Sequence, residues 1–168
     1  MQADWITGGS RDASYNSTPS GWFDSNVFQD WFEKVAVPYF DRIRDRGPKV
    51  ILGDNVPSHL NPNVIKKAEE KGIKFVFLPP NSTHLLQPLD VAVFRSLKSE
   101  WRKALTTWKT NEGRRFPVLP KWAVPQLLHR LDVAMEDKWS TLAKTGFRAC
   151  GIYPFTQESS PTNIFAWM

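Results

Sequence analysis

The chain has 168 residues, 41% of them hydrophobic and 23% charged, a balance that fits one globular domain or most of one and excludes a disordered chain. No apolar run approaches the ~20 residues needed to cross a bilayer, and the first ten residues lack the basic and apolar regions of a secretory signal. One cysteine, Cys150, excludes an internal disulfide framework and is expected as a buried thiol in a reducing compartment.

Residues 1–21 are rich in Gly, Ser, Asn and Asp and read as loop, with one short strand expected at Asp4–Thr7. Ser25 is placed to cap a helix that carries Phe28, Trp31, Phe32, Val35, Tyr39, Phe40 and Ile43 at helical spacing. Pro38 falls inside that pattern and should kink or split it. The helix is expected to end near Arg46, before Gly47-Pro48. The apolar run from Lys49 to Asp54 reads as a buried strand, and Asn61-Pro62 opens a second helix over 63–71, closed by Gly72. Ile73 to Leu78 is a second apolar strand. Strand, helix and strand at this spacing predict a parallel βαβ unit with a right-handed crossover. Two near-continuous apolar strands predict a sheet covered on both faces.

From Leu89 the pattern is helical again, with Val91, Phe94, Leu97, Trp101, Leu105 and Trp108 on one face. Residues 111–125 are a proline-containing connection. Helices are expected over 125–137 and 140–148, followed by an extended or turning segment at 151–155. The tryptophans Trp31, Trp101, Trp108, Trp122 and Trp139 read mostly as core, with base stacking as the lesser alternative.

The charge is uneven. The net charge is +5 and the pI about 9.4. Between Val91 and Cys150 stand twelve Lys/Arg against five acids. A basic half of this kind suits a polyanion such as DNA, because Lys and Arg on phosphates release counterions. A solvated helical surface explains the same pattern, and charge alone does not separate the two.

Asp54 stands at the carboxyl end of a predicted strand, where open α/β sheets place their ligand sites. It opens the polar cluster Asp54-Asn55-Val-Pro-Ser-His59. A simpler account is that Asp54 or Ser58 only caps the following helix. Asp90 opens a helix after a second polar cluster, Asn81-Ser-Thr-His84, and helix starts favour carboxylates in any case. Thirty-five residues separate the two acids. If the second strand lies beside the first, its exit loop leads back toward the edge of the sheet that carries Asp54. The two carboxylates are then expected roughly 4–8 Å apart, within reach of one hard cation. His59 and His84 read either as groups that shape this site or as side chains that satisfy their own turns. Ser58 beside His59 does not make a nucleophile pair, and two His with a distant Cys150 lack zinc-site spacing. A small-ligand α/β domain is disfavoured because no Gly-rich phosphate loop is present.

The stretches Val50-Ile-Leu-Gly-Asp-Asn-Val-Pro-Ser-His59 and Phe77-Leu-Pro-Pro-Asn-Ser-Thr-His-Leu-Leu-Gln-Pro-Leu-Asp-Val-Ala-Val-Phe94 resemble the DDE superfamily endonuclease domain. The likeness is to pogo- and Tigger-type transposases, jerky-like proteins and centromere protein B. Gly21-Trp-Phe-Asp-Ser-Asn-Val-Phe28 and Phe147-Arg-Ala-Cys-Gly-Ile-Tyr-Pro-Phe155 resemble further segments of that family, so the likeness covers most of the chain. It implies an α/β, RNase H-like fold, here partial, with the first strands of the sheet missing. The expected organisation is loop and strand end over 1–21, partial catalytic core over 22–110, helical part over 111–155 and tail over 156–168.

The resemblance implies a triad of acids that binds Mg²⁺ or Mn²⁺. Asp54 matches the second acid and Asp90 the third, while nothing here matches the first, so this chain alone is expected to be inactive. Asn55, His59, His84 and Gln87 would shape the site, and Arg95, Lys98, Arg102 and Lys103 would contact DNA phosphates. The implied activity is metal-dependent phosphodiester cleavage and strand transfer in the nucleus. The alternative is a DNA-binding or chromatin protein that has lost catalysis. Neither reading calls for a membrane or a small-molecule cofactor. With its first strands missing, the sheet is expected to leave the strand before Asp54 with a free edge, prone to self-association.

Overall fold

A computed structural model describes residues 5–44, 47–59 and 61–155 of the chain. They form two compact units, one over Ser14–Thr83 and the other from residues 5–13 together with the chain from His84 onward.

The first unit is built on a two-stranded parallel sheet. Strand β1 (Lys49–Gly53) pairs with β2 (Ile73–Phe77) in the register Lys49 to Ile73 through Gly53 to Phe77. The pairing continues one residue further, where the Leu78 N–H donates to the Gly53 carbonyl at 2.8 Å. Helix α1 (Ser25–Trp31) runs through a π-helical turn (Phe32–Ala36) into α2 (Val37–Arg42). The cap is Asp24 rather than Ser25: its carboxylate accepts from the N–H groups of Asn26 and Val27 at 3.0 and 2.9 Å.

The π turn explains how Pro38 is tolerated. Proline has no N–H, and in an α-helix its ring would strike the carbonyl four residues back. Here Val37 bonds instead to Phe32, five residues back, which widens the helix just before the proline. The helix neither breaks nor splits. It ends at Arg42, because Ile43 is already extended, with φ −71° and ψ 118°. The expected end at Arg46 lies outside the described residues.

Helix α3 (Pro62–Glu70) starts at Asn61. The Asn61 side chain accepts from the Asn63 N–H at 3.0 Å and donates to Ser25 Oγ at 2.9 Å and Gln29 Oε1 at 3.3 Å. One buried amide therefore caps α3 and ties it to α1. Phe28, Phe32, Ala36 and Val37 from the first helix pack with Val64, Ala68 and Ile73, and with the half-buried Ile51 and Phe75. These strand residues lie on one face of the sheet. The other face, by the alternation of strand side chains, carries Val50 and Val76, which are 48% and 47% exposed. In the described structure the helices thus cover one face, not the two that the apolar runs predict.

In the second unit no strand forms over residues 5–7, the described part of the expected Asp4–Thr7 strand. Ile6 to Gly8 are a turn, with Gly8 at φ +76°, and the Gly9 N–H donates to the Ile6 carbonyl; Asp4 itself lies outside the described residues. A one-turn helix α4 (Thr83–Leu86) leads to a π-helical turn (Leu89–Val93) and the long α5 (Phe94–Asn111). The predicted α5 face holds at its far end, where Trp101, Leu105 and Trp108 pack with Phe116, Leu119, Ala123 and Leu127. It fails at its start: Val93 is buried and Val91 is exposed. The π turn adds a residue and rotates the phase of the helix. Helices α6 (Ala123–Met135) and α7 (Trp139–Ala149) follow. Trp108 is core, Trp31 and Trp101 are half-buried, and Trp122 and Trp139 lie at the surface. Cys150 is buried, and burial pushes its thiol above the ordinary value. The expected tail over 156–168 lies outside the described residues.

Candidate functional site

In the first unit Asp54 follows β1 directly, at the carboxyl end of a parallel strand. It does not cap the next helix, because Asn61 does; the Ser58 side chain lies outside the described part of the structure. The loop from Asp54 closes in a short 3₁₀ turn (Pro57–His59), which swings His59 back. His59 Nδ1 comes within 2.8 Å of Asp54 Oδ1, and both side chains are about a quarter exposed. The imidazole is held from the other side by Phe28, with ring centroids 4.7 Å apart. The contact between His59 and Asp54 is close but poorly aligned. Oδ1 is buried and receives no well-directed hydrogen bond. A buried carboxylate oxygen without a well-directed donor is costly. Asn55 is exposed beside it.

The exit from β2 shows which polar residues merely build the turn. Asn81 sits at φ +60°, a conformation that asparagine tolerates better than most residues. The Ser82 hydroxyl donates to the Pro79 carbonyl at 2.7 Å. Half of the second polar cluster is thereby accounted for by backbone geometry.

In the second unit His84 is exposed on α4, and Gln87 is half-buried in the link that follows. Asp90 is exposed in the π turn Leu89–Val93, whose widened bond runs from the Phe94 N–H to the Leu89 carbonyl. It is not a helix cap, and among the described residues its carboxylate makes no hydrogen bond or ion pair. π turns are rare and recur at functional sites. This one is backed by α7: Gly146 packs so closely that a Cβ would lie 2.7 Å from the Pro88 carbonyl oxygen. Gly146 and Phe28 are site-supporting residues that the sequence reading missed. A glycine inside a helical pattern was the available signal for the first.

The cations of α5 differ in their freedom. Lys103 and Lys138 both reach Glu100, at 3.0 and 2.8 Å, and together they hold its carboxyl below the usual range. Arg95, Lys98 and Arg102 are exposed and form no ion pair among the described residues. Arg102 lines a shallow groove of about 410 Å³ with Ser99, Lys103, Thr106 and Thr107. Among the described residues no three His, Cys, Asp or Glu cluster as a ready metal site, and no helix is long and apolar enough to cross a membrane.

A family model, described as DDE superfamily endonuclease, matches residues 2–147. The chain belongs to this family. Its relatives include the Mus musculus protein "Pogo transposable element with KRAB domain", 28% identical over 141 residues, which are 79% of this chain and 22% of that protein. The Homo sapiens "Tigger transposable element-derived protein 7" is 29% identical over 106 residues, 58% of this chain and 18% of that protein. The "MFS-type transporter clz9" of Cochliobolus lunatus is 27% identical over 113 residues, 66% of this chain but only 12% of its own length. This member of the family therefore spans about a fifth or less of these relatives. No solved structure matches it.

Proposed function

We propose that this chain is part of a transposase-type DNA endonuclease, in which Asp54 and Asp90 each serve as a carboxylate ligand for divalent metal. The β1–α3–β2 unit is then part of an RNase H-like sheet. The observation that carries this reading is Asp54 itself, a carboxylate at a parallel strand end within the stretch that the family model covers, with one oxygen buried and lacking a directed donor. That donor set fits a hard cation, which takes carboxylate oxygens. When bound, Mg²⁺ or Mn²⁺ supplies Lewis acidity to the phosphodiester and its nucleophile.

The chain's own residues have separate tasks in this scheme. His59, braced by Phe28, fixes the rotamer of Asp54. Asp90 brings a carboxylate that owes nothing to a cap or an ion pair. Asn55, His84 and Gln87 shape the approach to the site. Arg95, Lys98 and Arg102 take DNA phosphates, and Lys103 joins them at the cost of its contact with Glu100. DNA is the partner, and the nucleus the place of action.

Titration of free Mn²⁺ by electron paramagnetic resonance tests the site. Asp54→Asn and Asp90→Asn should each weaken binding by at least the ~10–100-fold that loss of an outer-shell partner costs elsewhere. Unchanged binding in either variant overturns that residue's role as a metal ligand. If duplex DNA is still held while Mn²⁺ is ignored, the chain is a binding module without the chemistry.

A further inference from the structure

The connection between α5 and α6 has no part in the site above, yet its composition is unusual. From Gly113 to Leu131 there is no Asp or Glu, against four Lys/Arg. Arg130 is paired with Glu112 at 2.6 Å. Arg114, Arg115 and Lys121 are exposed and have no acidic partner among the described residues. Each of two aromatic rings carries one of these cations on its face. The Arg115 guanidinium stands 5.1 Å from the Phe116 centroid, and the Lys121 ammonium stands 4.4 Å from the Trp5 ring. Phe116 meets Trp122 edge-on at 5.7 Å, and Trp122 is 37% exposed.

The segment is also held in shape. Lys109 donates to the carbonyls of Phe116 and Gly113. Gly113 lies so close to Trp108 that a Cβ would sit 2.2 Å from its ring, and Phe116 stacks on Trp108 at 6.2 Å. A surface fixed in advance loses little freedom when it binds.

We propose that Trp5, Arg114, Arg115, Phe116, Lys121 and Trp122 form a platform for single-stranded DNA. Unpaired cations track phosphates, while a part-exposed indole and a guanidinium already stacked on a phenyl ring offer planes for bases. Single strands expose base faces that a duplex hides. The platform does not depend on Asp54 or Asp90 binding metal. Its charge complement is a polyanion, and its aromatic content selects one with bases.

Fluorescence anisotropy with this chain tests it, using a labelled oligo-dT of about a dozen nucleotides, its abasic counterpart and a duplex of equal length. Trp122→Ala and Arg115→Ala should each weaken oligo-dT binding by roughly 5- to 100-fold and duplex binding by less than about 2-fold. Trp122→Phe, which keeps a stacking ring and guards against a folding artefact, should retain most of the affinity. Arg102→Ala should weaken duplex binding more than oligo-dT binding. If that last variant alone behaves otherwise, the phosphate-contact reading of α5 fails and the platform stands. The platform is overturned if the chain does not bind oligo-dT, or if the abasic strand binds as tightly. Equal losses on duplex and single strand, or equally effective competition by polyglutamate, overturn it too.

Discussion

Replacing Gly146 by alanine probes the packing that backs the turn of Asp90. The new Cβ would lie 2.7 Å from the Pro88 carbonyl oxygen, 3.0 Å from its Cβ and 3.2 Å from its carbonyl carbon. Carbon and oxygen normally keep at least ~3.3 Å apart, so α7 and the Pro88 backbone must separate by several tenths of an ångström. No flexible side-chain tip is available to give way. Overpacking of this kind costs about 1–3 kcal/mol, while alanine in place of a helical glycine returns about 0.5–1 kcal/mol. The net loss is about 0.5–2 kcal/mol, a fall in Tm of roughly 1–8 °C for a chain of this size. Calorimetry measures the shift. Hydrogen exchange should locate it in Leu89–Val93 and Trp139–Ala149, with Lys49–Gly53 unaffected. Gly53→Ala, whose Cβ meets nothing within 4 Å, is the control. A Gly146→Ala chain that melts at or above the parent temperature would refute the close contact.

Phe32→Ala removes a fully buried ring from the first unit and should cost about 3–5 kcal/mol, read from urea denaturation. Glu100 has its pKa lowered by Lys138 and then Lys103. A depressed carboxyl stabilises above its unfolded pKa and loses that contribution as pH falls through the folded one. Glu100→Gln should therefore flatten the acid limb of a Tm-against-pH curve; an unchanged limb would show that the pairing is only decorative. Val50→Lys, on the exposed face of β1, whose outer edge is unpaired among the described residues, should reduce concentration-dependent association on sizing; a parent chain that stays monomeric at every concentration would refute the exposed edge.

Elements and their order were readable in the sequence, because the strands stand out as short apolar runs between turn residues and the helices by their spacing. Trp101, Leu105 and Trp108 recur at helical spacing, whereas the alternation of Ile51, Ile73 and Phe75 toward a single covered face was hidden within those apolar runs. The placement of Asp54 after β1 was readable for the same reason. What escaped were effects of one residue's width. Neither π turn has a periodicity signal of its own, so Pro38 was expected to kink or split a helix that runs through it, and Val91 was expected in a core that Val93 occupies. Asn61 was legible as a helix start but not as the amide that ties α3 to Ser25 and Gln29. That contact spans 36 residues in sequence. The bracing of His59 by Phe28 is long-range in the same way.

The π turn at Leu89–Val93 places a constraint on the length of this stretch across evolution. Its extra residue lies between Pro88, fixed by Gly146, and α5, fixed by the Trp108 core. Deleting any one of the five would restore ordinary α-helical bonding and turn everything on one side by about 100° relative to the other. Asp90 would then face a different way from a helix whose cations had not moved. Substitution at the positions around Asp90 in Leu89–Val93 should be common among relatives, and a change in length rare. A gap placed there in aligning distant members would signal a lost carboxylate position rather than a harmless loop variation.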